Sequence, residues 1–382
     1  MKHRWRLVAL LSFTATASYL CRVNVSVAGV QMMRELGLSP QAMGRVFSAF
    51  LLGYALCQVP GGMLSDRLGA MRVLAWSALG WVVCTAWTAA PGMSVASLLL
   101  ARLFLGVAEA PTFPASAQAI SRWMPENARG RANGAVVAAV GLGSAIAPPL
   151  VTYVMTRQGW RVALLVSAVP ALAASLALLT TQAPPHKRSE DAVHTALPTS
   201  GSFFLLTLSY TLQGYVGYIF VFWFYLYLVD VRHFDLLRSA LFGALPWLLS
   251  IVSIPLGGAL YDQLGAWRKL VPIAGLGGSG LLIAAGAHTG NAWAAAVCLA
   301  LATALVLSVE GPFWATMTRI AGGRAGAAGG FMNMGSNVGG FVSPALTPVL
   351  AGWMGWEAAL MVSAAVAIVA ALLWLGVRDG ES

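Results

Sequence analysis

Four charged residues stand where their neighbours offer them no water. Arg22 lies in SYLCRVNVSVA, Arg102 and Glu109 share ARLFLGVAEAPTFP, and Glu310 lies in VEGPFW. Each falls inside a long apolar run. An ionised side chain in hydrocarbon costs at least ~2.5–3.5 kcal/mol, so such residues usually pair, bind ligand or carry ions. A guanidinium presents a planar fork of donors suited to a carboxylate. A buried glutamate is pulled two ways, since desolvation favours the neutral acid and a nearby arginine favours the anion. Arginine and glutamate together therefore suit anion binding coupled to proton transfer. Arg102 and Glu109 are seven residues apart, nearly two helical turns, and face the same side. Their Cα atoms lie ~10 Å apart along the axis, too far for a relaxed direct pair. Each can engage a different part of one ligand, or Arg102 can support Arg22 or strain toward Glu109.

Blander accounts exist for each residue. Arg102 lies near enough to a span end to snorkel to the interface, whereas Arg22 does not. Glu109 and Glu310 are both open to a purely structural ion pair. Glu310 echoes Glu109, because each precedes a small residue and a proline, Pro111 or Pro312. Such prolines interrupt a helix and free backbone groups to line a cavity.

The elements that carry these residues are membrane helices. Hydrophobic residues make up 58% of the 382 and charged residues 9%, against about a quarter charged in soluble domains. Apolar runs of about 20 residues, the length that crosses ~30 Å of hydrocarbon as helix, recur along the chain. Twelve spans are expected near 7–30, 42–64, 71–91, 95–120, 132–154, 161–181, 202–229, 239–261, 270–287, 292–318, 326–351 and 356–377. The in/out alternation of barrel strands is missing. With the N-terminus inside, fifteen Lys and Arg fall on cytoplasmic segments and six outside, the remaining two being Arg22 and Arg102. Both termini are then cytoplasmic, and the expected location is a bacterial inner membrane. The start, MKHRWRLVALLSFTATAS, resembles a signal peptide, but its apolar run continues to about Val30, which favours an uncleaved first helix.

The net charge of +10 sits in short loops without a nucleic-acid motif, so no nucleic-acid partner is expected. Cys21, Cys57, Cys84 and Cys298 lack metal spacing. No nucleotide-binding loop appears, and neither cofactor nor metal is expected.

The chain repeats itself. GGMLSDRLGAMRVL (61–74) and GGALYDQLGAWRKL (257–270) agree at nine of fourteen positions, at an offset of 196. At the same offset Gly130, Gly134, Gly143, Pro148 and Leu150 meet Gly326, Gly330, Gly339, Pro344 and Leu346. A Pro- and charge-rich stretch separates the copies, which predicts a six-helix bundle over 1–181, a cytoplasmic linker over 182–201 and a second bundle over 202–382. Parallel repeats of this kind are one plan of secondary transporters.

Both copies of the loop resemble the G-x-L-x-D-R-x-G motif of the major facilitator superfamily, although Gln263 replaces the arginine in the second. Gly62 permits close helix approach, Gly69 a tight turn, and Asp66 can accept hydrogen bonds from Arg67, Arg72 or a neighbouring helix end. Asp262 is its counterpart. A gate on the cytoplasmic side is one reading, and a turn that only retains positive charge inside is the other.

The segments around Arg22 and Glu109 further resemble the anion:cation symporter branch. It includes bacterial galactonate and hexuronate importers and vertebrate sialic-acid, vesicular glutamate and phosphate transporters. That resemblance implies anion binding by Arg22 and Arg102, proton coupling by Glu109, and a substrate-lining role for Tyr54. Two departures stand out. Cys21 occupies a position where sugar-acid importers commonly carry aspartate, and the fifth span lacks their glutamine.

In the eleventh span, Asn333, Ser336 and Asn337 can bond ligand hydroxyls or neighbouring helices. Tyr210, Gln213 and Tyr218 are the seventh-span residues to watch. The expectation is thus a monomeric, proton-coupled symporter of a small organic anion such as a hexonate or hexuronate, with Glu310 as a second coupling group. A proton-driven exporter of amphipathic drugs or cations is the rival, opposed by two intramembrane arginines. A membrane-embedded enzyme finds no nucleophile–base or metal pair within a span.

Overall fold

A computed structural model describes residues 2–181, 200–321 and 325–378, without the side chains of residues 2, 3, 126, 127, 130 and 325–327. The expected linker over 182–201 falls almost wholly outside the described residues, as do Lys187, Arg188 and Arg324. Among the described residues every regular element is helical: α1 (Lys2–Leu36), α2 (Pro40–Leu68), α3 (Ala70–Thr88), α4 (Val95–Glu109), α5 (Thr112–Trp123), α6 (Glu126–Thr180), α7 (Gly201–Phe222), α8 (Phe224–Asp230), α9 (Leu236–Gln263), α10 (Leu270–His288), α11 (Ala292–Ser308), α12 (Glu310–Ala321) and α13 (Ala325–Gly376).

Local chemistry sets the ends. Ser39 accepts from the amide of Ala42 ahead of Pro40, and Ser94, Ser200, Asp235 and Asn291 cap α4, α7, α9 and α11 in the same manner. Each satisfies amides that a helix start leaves without partners.

Ten described stretches are long and apolar enough to cross a membrane. Two of them, the cores of α6 and α13, are far too long for one crossing: 55 and 52 residues extend ~80 Å as straight helix. Each folds back at one glycine, Gly159 (φ 83°, ψ 164°) or Gly355 (φ 84°, ψ 161°). A left-handed φ of this kind is strained for any residue with a Cβ. Counting α6 and α13 twice raises ten crossings to the expected twelve. Large apolar side chains such as Leu56, Trp76, Val252 and Leu281 are left exposed, a surface suited to lipid and not to water.

Two compact units result, Met1–Glu190 and Asp191–Ser382. In the first, α1 packs on α6, α2 on α4, and α3 on α4 and α6. In the second, α7 packs on α13, α9 on α11, and α10 on α11 and α13, which is the same plan. Leu11, Leu74, Ile120 and Leu178 lie in one apolar core, and Phe203, Leu276, Phe313 and Trp374 in the other.

Candidate functional site

The first unit gathers Arg22, Arg102 and Glu109, which are 2%, 1% and 0% exposed. Glu109 is the last residue of α4, where the helix breaks before Pro111 and resumes as α5. Its Oε1 accepts one hydrogen bond from Arg22 of α1, at 2.9 Å from Nε, and forms an ion pair with Nη2 at 2.7 Å. Its Oε2 has no hydrogen-bond partner among the described residues. The Arg22 guanidinium also donates through Nη1 to the Tyr19 hydroxyl at 2.9 Å. Three rings surround it, with centroids at 4.3 Å (Tyr19), 4.8 Å (Phe50) and 4.7 Å (Tyr54). Cation–π attraction of this kind is strongest where water is excluded.

Arg102 neither snorkels nor reaches Glu109. It crosses to α1 and donates to the carbonyl oxygens of Cys21 (3.3 Å) and Arg22 (3.0 Å). Its Nε has no partner among the described residues, and its Cζ lies 5.3 Å from the Phe50 ring centre. Of the roles open to it in sequence, support of the Arg22 segment is the one the geometry displays.

This grouping depends on a close crossing of α2 and α4. A Cβ on Gly106 would strike the carbonyl oxygen of Phe50 and lie 2.8 Å from the amide of Tyr54. A Cβ on Gly53 would strike the carbonyl oxygen of Leu103. Only glycine at both positions lets Phe50 and Tyr54 stand beside the arginines.

The second unit gathers Glu310, Tyr210 and Gln213. Glu310 begins α12 after the break at Val309. Its Oε2 accepts from the Tyr210 hydroxyl at 2.7 Å and its Oε1 from the Gln213 amide at 3.0 Å, both on α7. No cation pairs with Glu310 among the described residues, so the structural ion pair considered from sequence is replaced by neutral donors. Half-buried Asn333 and buried Asn337 lie on α13, where the Asn337 amide bonds the Asn333 carbonyl at 2.9 Å. That donor is spent within its own helix, not on another.

Among the described residues, the aspartates of the repeated loops do not pair with the loop arginines. Arg67 and Arg72 are exposed, and Asp66 accepts instead from the Gln118 carboxamide on α5. Gln118 also accepts from the Ser65 hydroxyl at 2.8 Å. The donor is a neutral side chain because this face of α2 turns toward α5 and not toward the loop arginines. In the second copy Tyr261 replaces Ser65, and its hydroxyl meets Thr316 and Arg319 of α12. Asp262 is exposed and has no partner among the described residues. Gly62 sits 3.5 Å, measured from an added Cβ, from Pro114 of α5. Gly69 and its counterpart Gly265 both take positive φ, 91° and 50°. Each loop thus ties its preceding helix to the half-helix beyond a break.

Sequence comparison identifies the scaffold. A sequence model of the Major Facilitator Superfamily matches residues 11–344. The chain belongs to that superfamily. It is 33% identical to a probable sulfoacetate transporter, SauU, of Cupriavidus necator, over 97% of this chain and 93% of that one. It is 27% identical to a D-galactonate transporter of Escherichia coli (98% and 95% covered). It is 25% identical to a hexuronate transporter of Bacillus subtilis (97% and 94% covered). These relatives are transporters, not enzymes, and they fall within the anion-transporting group that the sequence motifs resembled. Among solved structures, a bacterial homologue of the human lysosomal transporter Spinster superposes with a TM-score of 0.85 at 18% identity over 100% of both chains. A D-xylose–proton symporter gives 0.82 at 16% over 99% and 98%. At those identities the likeness shows the fold of the superfamily alone.

Two contributors went unseen in the sequence. Tyr19 precedes Arg22 by one helical turn and was open to notice on that spacing. Phe50 carried no such signal, because an aromatic in an apolar span reads as core until the crossing at Gly106 is known.

Proposed function

We propose that this transporter moves a small organic anion together with protons, by alternating access. The observation that carries this reading is the buried Arg22–Glu109 pair inside its aromatic cage. An anion that reaches Arg22 competes with Glu109 for the same forked donors. A carboxylate stripped of its partner in a dry interior takes up a proton, since an isolated buried charge costs far more. When the anion leaves, Arg22 reclaims Glu109 and the proton is released. Anion and proton thus share one guanidinium by exclusion.

In this reading Arg22, Tyr54 and Arg102 are the substrate-binding residues of the first unit. Asn333 and Asn337 are those of the second, with polar groups suited to substrate hydroxyls. Glu109 is the principal coupling carboxyl. Glu310, held by two neutral donors, is a second one. Asp66, Arg67, Gly62 and Gly69, with Asp262 in the other copy, form gating loops on the cytoplasmic side. The excess of Lys and Arg on one set of loops supports cytoplasmic termini in a bacterial inner membrane, and the transporter acts as a monomer. The relatives' names point to sugar acids and to sulfoacetate as first substrates to try.

The test is uptake into proteoliposomes. Labelled galactonate, a hexuronate and sulfoacetate are offered with and without an inward proton gradient. At least one anion should accumulate with the gradient, and Arg22→Ala should abolish that accumulation. Loss of no anion transport in Arg22→Ala, with proton-driven cation efflux instead, overturns the proposal.

A further inference from the structure

Charge in the first unit's cluster does not balance. Arg22 and Arg102 contribute two positive charges and Glu109 one negative, and Cys21, beside both arginines, contributes none. Glu109 pairs with Arg22 through one oxygen, so the uncompensated charge is that of Arg102. Only neutral carbonyl oxygens meet its terminal nitrogens. Its Nε, in a side chain 1% exposed, has no acceptor among the described residues. Protonating Glu109 during loading makes the imbalance worse, because two guanidiniums then face whatever anion has entered. A single carboxylate neutralises one of them. The other would remain as an unpaired charge in a medium where such charges are costly.

Both guanidiniums lie against one ring, which bounds their separation at roughly 10 Å. Arg22 Cζ lies 4.8 Å and Arg102 Cζ 5.3 Å from the centre of the same Phe50 ring. One short molecule can therefore reach both. We propose that the substrate is a short dianion, with anionic groups a few bonds apart, and that Arg102 selects it by meeting the second group. Dicarboxylates and carboxylate–sulfonates are the classes that fit. One dianion, two guanidiniums and a protonated Glu109 sum to zero, whereas with Glu109 protonated a monoanion leaves one positive charge over. The inference rests on the reading of Arg22 as the anion binder, and it adds what the anion must be.

The test uses purified full-length transporter and calorimetric titration with matched pairs that differ at one end. Glucarate is compared with gluconate, and sulfoacetate with glycolate. In at least one pair the dianion should bind at least tenfold tighter than its monoanionic partner. Arg102→Gln should bring that ratio to within about twofold of unity. Arg102→Lys, which keeps the charge without the fork, should retain most of the ratio and guards against a folding defect. A ratio near one in the wild type, or one unchanged in Arg102→Gln while both ligands weaken together, overturns the dianion assignment and leaves the anion reading standing. Binding of neither member of either pair, with monoanions and dianions of other sizes also inert, overturns both.

Discussion

Replacing Glu109 by glutamine should tighten anion binding while destroying anion accumulation. In the wild type the incoming anion must take Arg22 from a carboxylate oxygen held by one hydrogen bond from Nε at 2.9 Å and an ion contact to Nη2 at 2.7 Å. Hydrogen bonds between charged groups contribute about 1.5–3 kcal/mol each, roughly twice the neutral kind. A glutamine carbonyl keeps the geometry and forfeits the charge, so the competitor weakens by about 1.5–3 kcal/mol across the two contacts. At 1.4 kcal/mol per decade, the anion should bind roughly 10- to 100-fold tighter in Glu109→Gln. The guanidinium stays anchored by the Tyr19 hydroxyl and three rings, so the fold should survive. Coupling should not survive. One proton moving down one pH unit supplies about 1.36 kcal/mol, enough for roughly tenfold accumulation of the co-transported anion. The variant should show none of this, while exchange of labelled for unlabelled anion continues. Titration calorimetry gives the affinity, and proteoliposomes under an imposed gradient give the accumulation. Weaker binding in the variant would mean that Glu109 positions the anion and does not compete with it. Accumulation undiminished by the substitution would place the coupling proton elsewhere.

Three further outcomes follow from the packing. Gly106→Val should separate α2 from α4 and disperse the Phe50–Tyr54 wall, seen as a lowered melting temperature and lost anion binding, while valine at exposed Gly134, with nothing within 4 Å of an added Cβ, should spare the tertiary contact. Gly159→Ala and Gly355→Ala have open space around the new methyl, so each should cost about 1–3 kcal/mol from the positive-φ backbone alone, and the two costs should add in a thermal unfolding series. Gln118→Leu removes the contacts to Asp66 and Ser65, so amide exchange at the α2–α3 junction should quicken while anion affinity stays within about twofold.

Much of the scaffold was readable because membrane helices announce themselves by length, and because the duplication prints each bundle's landmarks twice. The breaks at Glu109 and Glu310 follow from Pro111 and Pro312, and the paired loops from their shared glycines. The same offset of 196 also relates GWRVALLVSA (159–168) to GWEAALMVSA (355–364), seven of ten positions alike, a repeat whose meaning became plain only with the reversed backbone at Gly159 and Gly355. The site was legible in its residue types and not in its pairings. Helix periodicity places Arg102 and Glu109 on one face, yet which of them meets Arg22 depends on the crossing of α1 with α4. The aromatic wall beside the pair depends in turn on the α2–α4 crossing at Gly53 and Gly106, whose partners lie far away in the chain. The partner of Asp66 was hidden for a related reason: sequence shows its charged neighbours along the chain, and the structure turns it toward an amide on another helix.

Comparison of the two copies shows what duplication preserved and what it released. Position 22 carries arginine, and the position 196 residues later carries Tyr218. Ser65 corresponds to Tyr261, yet each ties its helix to the half-helix beyond the break, α5 or α12. The backbone landmarks were kept, since a left-handed turn or a helix crossing admits almost no residue but glycine. The polar groups were free to change so long as each break kept a carboxyl with donors to hold it. In one copy those donors are a guanidinium, in the other a hydroxyl and an amide. An arginine holds a carboxylate until a competing anion arrives, so it answers to substrate. A tyrosine and a glutamine offer no charge for an anion to win, so Glu310 should answer to protons alone. Glu310→Gln should therefore leave anion affinity within about twofold of wild type while altering how uptake depends on pH, and a tenfold loss of affinity in that variant would refute the division.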